Sequence, residues 1–235
     1  MKWLPIVAAL IAPFIPASAE AQDAKCDIEL VLAMDVSRSV STREFALQIG
    51  GLAQALSHPE VIEAIEFLPG GVMATVMIWG DAGQQKITTD WTYLTGPENI
   101  IPFARSVAET KRYFGFTLTG LGQAMIFADR LTETNPRKCR RRIIDISGDG
   151  VWNHGPRPSA VWRTDISRDV TINGVVILGA TPNPLPHYEA EVIGGPGAFV
   201  EVAEDFEDYA PVILRKLLRE LSLSLSEAPS DTVVK

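Results

Sequence analysis

The residue types best suited to chemistry stand close together at one place. Asp35, Ser37 and Ser39 occupy alternate positions of Asp35-Val36-Ser37-Arg38-Ser39. One carboxylate and two hydroxyls in a tight turn can point into one small space. A hard divalent cation asks for such a set: oxygen ligands, few of them charged, with room for water or an incoming group. A second carboxylate, Asp149, sits in Gly148-Asp149-Gly150 after the apolar run Ile143 to Ser147. Thr117 lies in the polar, glycine-punctuated loop Tyr113 to Gly120 that leads into a helix. Other chemistries lack their parts. A phosphoryl-accepting Asp35 wants a second acid two residues on, where Ser37 stands. There is no G-x-S-x-G elbow, no G-x-G-x-x-G after a strand and no P-loop.

Positioning these residues requires strands that end in turns. Cys26 to Met34 is an apolar, β-rich run and reads as a buried strand. Ser41 and Glu44 form a capping box, and the helix behind it carries Phe45, Ile49, Leu52 and Leu56 at helical spacing. His58-Pro59 ends that helix, and a short one spans Glu60 to Phe67. Val72 to Trp79 is a second buried strand. The connection Gly80 to Gly83 is too short for a crossover helix, so Gln85 to Trp91 must run antiparallel to it. A helix follows from Asn99 to Thr110, with Pro102 acceptable only in its first turn. The next carries Leu121, Met125, Ala128 and Leu131, with Thr119 as its N-cap. Further on, the expectation is a helix Ser159 to Arg168, a strand Ile172 to Leu178, a short helix His187 to Ile193, a strand Ala198 to Val202 and a final helix Glu204 to Leu221. Strands alternating with amphipathic helices give an α/β fold of three layers. Its central sheet is mostly parallel, with one antiparallel edge strand and helices on both faces.

Composition bounds the rest. The 235 residues are 46% hydrophobic, enough for one domain with a sizeable core. A net charge of −8 argues against a nucleic-acid surface. Residues 1–21 read as a secretory signal peptide, with a basic start, an apolar core and small residues at two cleavage positions, Ala17-Ser18-Ala19 or Ala19-Glu20-Ala21. Residues 22–222 form the domain and 223–235 a loose tail. The mature protein is expected in the periplasm or outside a bacterial cell, with no membrane insertion after cleavage. Asp145, inside a strand, is expected to pair with one of Arg140 to Arg142.

Asp35-x-Ser37-x-Ser39, Thr117-x-Thr119-Gly120 before a helix, and Asp149-Gly150 after an Ile-rich strand together resemble the von Willebrand factor type A domain. More narrowly, the chain is similar to a bacterial family of exported von Willebrand A-like proteins of unassigned function. That similarity rests on Asp90-Trp91-Thr92, Ile144 to Gly150, Ile172-Asn173-Gly174 and Val192 to Phe199. The broader resemblance implies a metal-ion-dependent adhesion site. Ser37 and Ser39 would give oxygens directly, Thr117 directly or through water, and Asp35 and Asp149 mainly through water. Mg²⁺ suits this set, with Mn²⁺ or Ca²⁺ as substitutes. The open position would take a Glu or Asp carboxylate of a protein partner. Arg38 stands where members often have Gly, and with Trp152, Asn153 and His154 it is expected at the ligand rim.

In that fold the Asp35 and Asp149 strands are adjacent and parallel. Cys26 stands nine residues before Asp35 and Cys139 ten before Asp149. Setbacks equal to within one residue on neighbouring strands about 4.8 Å apart imply a Cys26–Cys139 disulfide. The expected function is an exported, metal-dependent protein-binding module rather than an enzyme. The alternatives are a metal-assisted hydrolase and a structural domain whose metal site stays empty.

Overall fold

The computed structural model describes residues 26–226 apart from Phe116. The expected signal peptide and residues 227–235 of the expected tail lie outside the described residues; residues 223–226, expected in the tail, continue the last helix. Six strands form one sheet in the order β3-β2-β1-β4-β5-β6. They are β1 (Cys26–Asp35), β2 (Val72–Trp79), β3 (Gln85–Leu94), β4 (Cys139–Gly148), β5 (Val170–Ile177) and β6 (Val200–Ala203). Every neighbouring pair is parallel except β2 with β3, at the edge. The short β2–β3 connection explains the exception: Gly80 N–H bonds the Gln84 carbonyl and Gln84 N–H the Asp81 carbonyl, with Gly83 at φ +89°.

Successive side chains of β1 alternate between two cores. Leu30, Leu32 and Met34 pack with α1 (Thr42–Leu56), α2 (Pro59–Glu66), α3 (Pro97–Ala108) and α7 (Tyr209–Ser226). Val31 and Ala33 pack on the other face with α4 (Leu121–Thr132), α5 (Pro158–Thr164) and a crossover segment made of α6 (Leu185–His187) and the π-helical turn Tyr188–Val192. All ten residues of β1 are buried, and each large apolar side chain so placed contributes about 1.5–3 kcal/mol. The capping box at Ser41 and Glu44 is present.

Several boundaries differ from expectation. Helix α3 begins at Pro97, so Pro102 falls inside it; Asn99 accepts from the Thr95 and Gly96 amides and sets the earlier start. The N-cap of α4 is Gly120, not Thr119. Helix α7 starts at Tyr209 because the preceding acids form turns: Asp205 Oδ1 accepts from Asp208 N–H at 2.9 Å and Asp208 Oδ2 from Glu204 N–H at 3.2 Å.

The Cys26–Cys139 disulfide is formed, between residues that are direct partners in the β1–β4 ladder with Cα atoms 4.3 Å apart. Asp145 corrects another expectation. Its partner is Lys216 of α7, at 2.6 Å, not an arginine of its own strand. Strand alternation gives the reason for Arg140 and Arg142, which project to the opposite face and meet Asp27 and Glu29, while Arg141 shares the face of Asp145 but stands four residues, about 13 Å, along the strand. Lys216 also reaches Glu220 at 2.6 Å. Asn173 donates to Glu220 at 2.6 Å and accepts from Phe199 N–H at 3.0 Å. A buried ionic cluster therefore ties α7 to β4, β5 and the entry to β6.

Candidate metal centre

Strand β1 lies between β2 and β4, so the chain leaves β1 toward one side and later returns on the other. At such a reversal the loops diverge and open a crevice at the carboxyl ends of the strands. Asp35 ends β1, and Asp149 directly follows β4. The structure brings all five expected ligands to this crevice. Asp35 Oδ1 accepts from Ser37 N–H at 2.6 Å, which closes the turn. Ser37 Oγ and Ser39 Oγ are 3.2 Å apart. Ser39 donates to Asp149 Oδ1 at 2.6 Å. Thr117 Oγ1 donates to the Val36 carbonyl at 3.3 Å, on the same turn.

Three loops are sewn together to hold these atoms. The Arg38 amide donates to the Thr117 carbonyl at 3.0 Å, and Gly120 N–H to the Gly80 carbonyl at 2.8 Å. Gly80 permits this approach: a Cβ there would stand 2.6 Å from Thr117 Oγ1. Asn153 Oδ1 accepts from Thr119 N–H at 2.8 Å and joins the Asp149 loop to the Thr117 loop. The turn is also held from behind. Gln48 donates to the Asp35 carbonyl at 3.0 Å, and Arg112 to the Val36 and Ser37 carbonyls at 3.1 Å each. Sequence reasoning did not assign Gln48 or Arg112. For Gln48 a signal existed: it interrupts the apolar face of α1 between Phe45 and Ile49 and is wholly buried.

Burial, and after it the charge of Asp149, push the Asp35 carboxyl up to about 8. Burial and the Glu44 carboxylate also raise Asp149, against its bond from Ser39. The charges acting on this pair are negative. Asp35 Oδ2 is buried with no hydrogen-bond partner. Beside it, Tyr188 Oη and Trp79 Nε1 are likewise buried and unpartnered. Both side chains converge on Gly148, where an added Cβ would meet Tyr188 Oη at 2.5 Å and Asp35 Oδ2 at 2.9 Å. Tyr188, from the π-helical turn, was also missed; no local pattern links it to β1.

Among the described residues, no group of three His, Cys, Asp or Glu side chains is arranged for a metal. The donor set is of another kind, two carboxylates and three hydroxyls. Its excess negative charge and unsatisfied carboxylate oxygen fit a hard divalent cation. The rim is divided. Arg38 and Asn153 line a cavity of about 280 Å³ over Ser39 and Thr117, together with Leu118 and the Thr181-Pro182 segment. Trp152 and His154 take other partners. The Trp152 indole donates to the Gly155 carbonyl and packs into the second core, while His154 pairs with Asp81 of the β2–β3 turn.

The sheet order, the single antiparallel edge and the Asp35–Ser37–Ser39 turn define the von Willebrand factor type A fold. Three solved structures share it. The chain superposes on proximal thread matrix protein 1 from the mussel byssus with a TM-score of 0.62 at 14% identity, covering 84% of this chain and 49% of that one. A von Willebrand factor type A protein from Catenulispora acidiphila gives 0.58 at 14% identity, over 86% and 43%. The pilus adhesin SpaC from Lactobacillus rhamnosus GG gives 0.59 at 10% identity, over 83% and 30%. The chain thus spans half or less of the length of these proteins. It belongs to the family described as protein of unknown function DUF1194, whose model matches residues 25–225. No curated protein matches it.

Proposed function

We propose that this chain is an exported, divalent-metal-dependent protein-binding module whose partner offers a Glu or Asp carboxylate. One observation carries the reading. Two buried carboxylates and three hydroxyls converge at a sheet reversal, and the charges acting on those carboxylates are themselves negative. Asp35, Ser37, Ser39, Thr117 and Asp149 would hold the ion. Mg²⁺ is the leading choice, since it accepts few protein oxygens and keeps waters readily; Mn²⁺ or Ca²⁺ are substitutes. The bound ion supplies an electrophilic position for an incoming carboxylate. The protein's share is to hold Ser37 and Ser39 rigid through the Asp35 turn, and to keep the donor set low in direct charge.

Two further points support this reading. Proximal thread matrix protein 1 has been solved with zinc in its metal-ion-dependent adhesion motif. The three histidines, the usual proton carriers of a hydrolytic site, are engaged elsewhere. His58 caps α2, His154 pairs with Asp81, and His187 accepts from the Trp152 amide at 3.2 Å. Export is consistent with the disulfide. No helix among the described residues is long and apolar enough to cross a membrane.

The test is calorimetry with Mg²⁺ and Mn²⁺ on the wild type and Asp35→Ala, followed by capture from a periplasmic extract with and without EDTA. Wild-type heat that Asp35→Ala lacks, with a partner released by EDTA, is expected. Identical traces for the two proteins would remove the metal and the reading with it.

A further inference from the structure

The crevice has two flanks, and they carry opposite charge. On one side a cavity of about 320 Å³ runs from Ser39 and Asp149 past Glu44, Asp205 and Glu207. Arg43 pairs with Glu207 at 2.5 Å, while Glu44 adds its field to Asp149. On the other side an open groove of about 540 Å³ is lined by Arg38, Arg112, Phe114 and the Ser41-Thr42 segment. One residue along the loop, Tyr113 is 54% exposed and lies under Lys86, whose Nζ is 4.4 Å from the ring centroid. Leu118, 42% exposed, stands on the same loop and borders the cavity over Ser39 and Thr117.

Two facts make this flank more than a scatter of surface charge. The described residues expose three large hydrophobic side chains, Phe67, Tyr113 and Leu118, and two of them sit on the loop that carries Thr117. In addition, Arg38 borders both the cavity over Ser39 and the groove. The donor set and the cationic-aromatic groove are therefore one continuous surface. On a chain of net charge −8, a basic patch beside a proposed carboxylate-accepting position is a directional feature. An incoming chain of negative charge is attracted along one flank and repelled from the other.

We propose that the partner presents an acidic segment rather than a lone carboxylate. One Glu or Asp of the segment faces the metal. Further acidic side chains lie along the groove at Arg38 and Arg112 and, one residue along the loop from Phe114, at the Lys86–Tyr113 pair, with an apolar residue against Leu118 or Tyr113. The Glu44–Asp205 flank fixes the direction in which the segment runs. This rests on the metal-dependent reading above and adds the class of ligand and its polarity. Arg112 serves two ends: its terminal nitrogen holds the motif turn, and its charge faces the groove. Arg38 and Lys86 are thus the residues to alter without touching the metal ligands.

The experiment is fluorescence anisotropy in Mg²⁺, at about 50 mM salt, with two labelled synthetic peptides. One carries a single Glu among Gly and Ser. The other carries the same Glu followed by Leu and three Asp. Several exposed charge pairs acting together predict about tenfold tighter binding of the acidic peptide, narrowing as salt rises. Arg38→Glu with Lys86→Glu should bring the two peptides within about twofold of each other. Glu44→Gln with Asp205→Lys should tighten the acidic peptide. Equal affinity of both peptides for the wild type, or no response to Arg38→Glu with Lys86→Glu, overturns the acidic-segment inference and leaves the metal reading standing. Binding of neither peptide, or binding unchanged in EDTA, overturns both.

Discussion

The sheet holds two groups of buried carboxylates, and they are treated in opposite ways. Asp145, in the middle of β4, is buried with a cation supplied by the chain: Lys216 lies 2.6 Å away and shares its charge with Glu220. Asp35, at the end of β1, is buried as deeply, and the charge that adds to burial in raising it is the carboxylate of Asp149. Burial pushes both aspartates up, Asp145 to about 7 and Asp35 to about 8. The same desolvation cost is met in one place by a built-in ammonium. In the other it is left for something from outside the chain. The first arrangement fixes α7 on the sheet. The second fits the proposed role of Asp35 in holding a cation.

The largest expected effect comes from removing the built-in cation. Lys216→Met leaves Asp145 and Glu220 buried without their partner, and should cost about 3–5 kcal/mol of stability. The measurement is urea denaturation of the metal-free protein beside wild type, with Mn²⁺ calorimetry on the folded fraction. Because Lys216 belongs to the other cluster, Mn²⁺ affinity should survive. A variant as stable as wild type would show that the α7 cluster is not an ionic lock, and the comparison would lose one of its sides.

The next effect has the opposite sign. Asp35→Asn removes a carboxyl whose ionisation burial opposes, so at about pH 8 and above the metal-free protein should gain about 1–3 kcal/mol while losing Mn²⁺ binding. The pH dependence follows from the raised carboxyl. Asp35 holds its proton more tightly folded than unfolded, its value moving from 3.8 to about 8. Its stabilising contribution is full below the unfolded value and is lost as pH climbs through the folded one. In EDTA, wild-type Tm relative to Asp35→Asn should therefore fall between about pH 4 and pH 8. Mg²⁺ should restore wild type most at the alkaline end, where the carboxylate is ionised. A difference that stays flat with pH, or a Tm indifferent to Mg²⁺ at pH 8, would put Asp35 on the same footing as Asp145.

The contrast between these clusters also marks how much the sequence could disclose. The meeting of Asp35, Ser37, Ser39 and Asp149 was legible because they occupy turns directly after apolar strands, and a strand end is a position that local pattern defines; Thr117, between two helices, was placed there through the resemblance. The disulfide was legible for a related reason: equal setbacks on parallel neighbours land in one register once the fold is known. The Asp145–Lys216 pair was not. Its partners are 71 positions apart, and which face α7 covers is settled by tertiary packing rather than by a local rule. Strand alternation could have excluded Arg140 and Arg142 as partners, but it could not name Lys216. The start of α7 was misplaced for a different reason. Glu204, Asp205 and Asp208 suit a helix N-terminus by charge, yet the Asp205 and Asp208 side chains bond the Asp208 and Glu204 amides in turns and delay the helix to Tyr209.

Tyr188 supplies the finest test, because it stands between the two kinds of cluster. It is wholly buried like Lys216, but it offers a neutral hydroxyl to the Asp35 side instead of a charge. Its Oη and Asp35 Oδ2 both approach the point where a Gly148 Cβ would stand, and neither has a hydrogen-bond partner. A donor there would orient the outer oxygen of Asp35 without neutralising it, as groups behind metal ligands commonly do. Tyr188→Phe keeps the ring that packs against Gly174 and Val192 and removes only the hydroxyl. It should lower Mn²⁺ affinity by about tenfold while the Tm of the metal-free protein stays close to wild type. Gly148→Ala, which forces the two oxygens apart, should lower metal affinity further. A Tyr188→Phe protein with wild-type Mn²⁺ affinity would mean that the hydroxyl is a packing accident. One that loses stability and keeps affinity would place Tyr188 with Lys216, as a fastener of the fold.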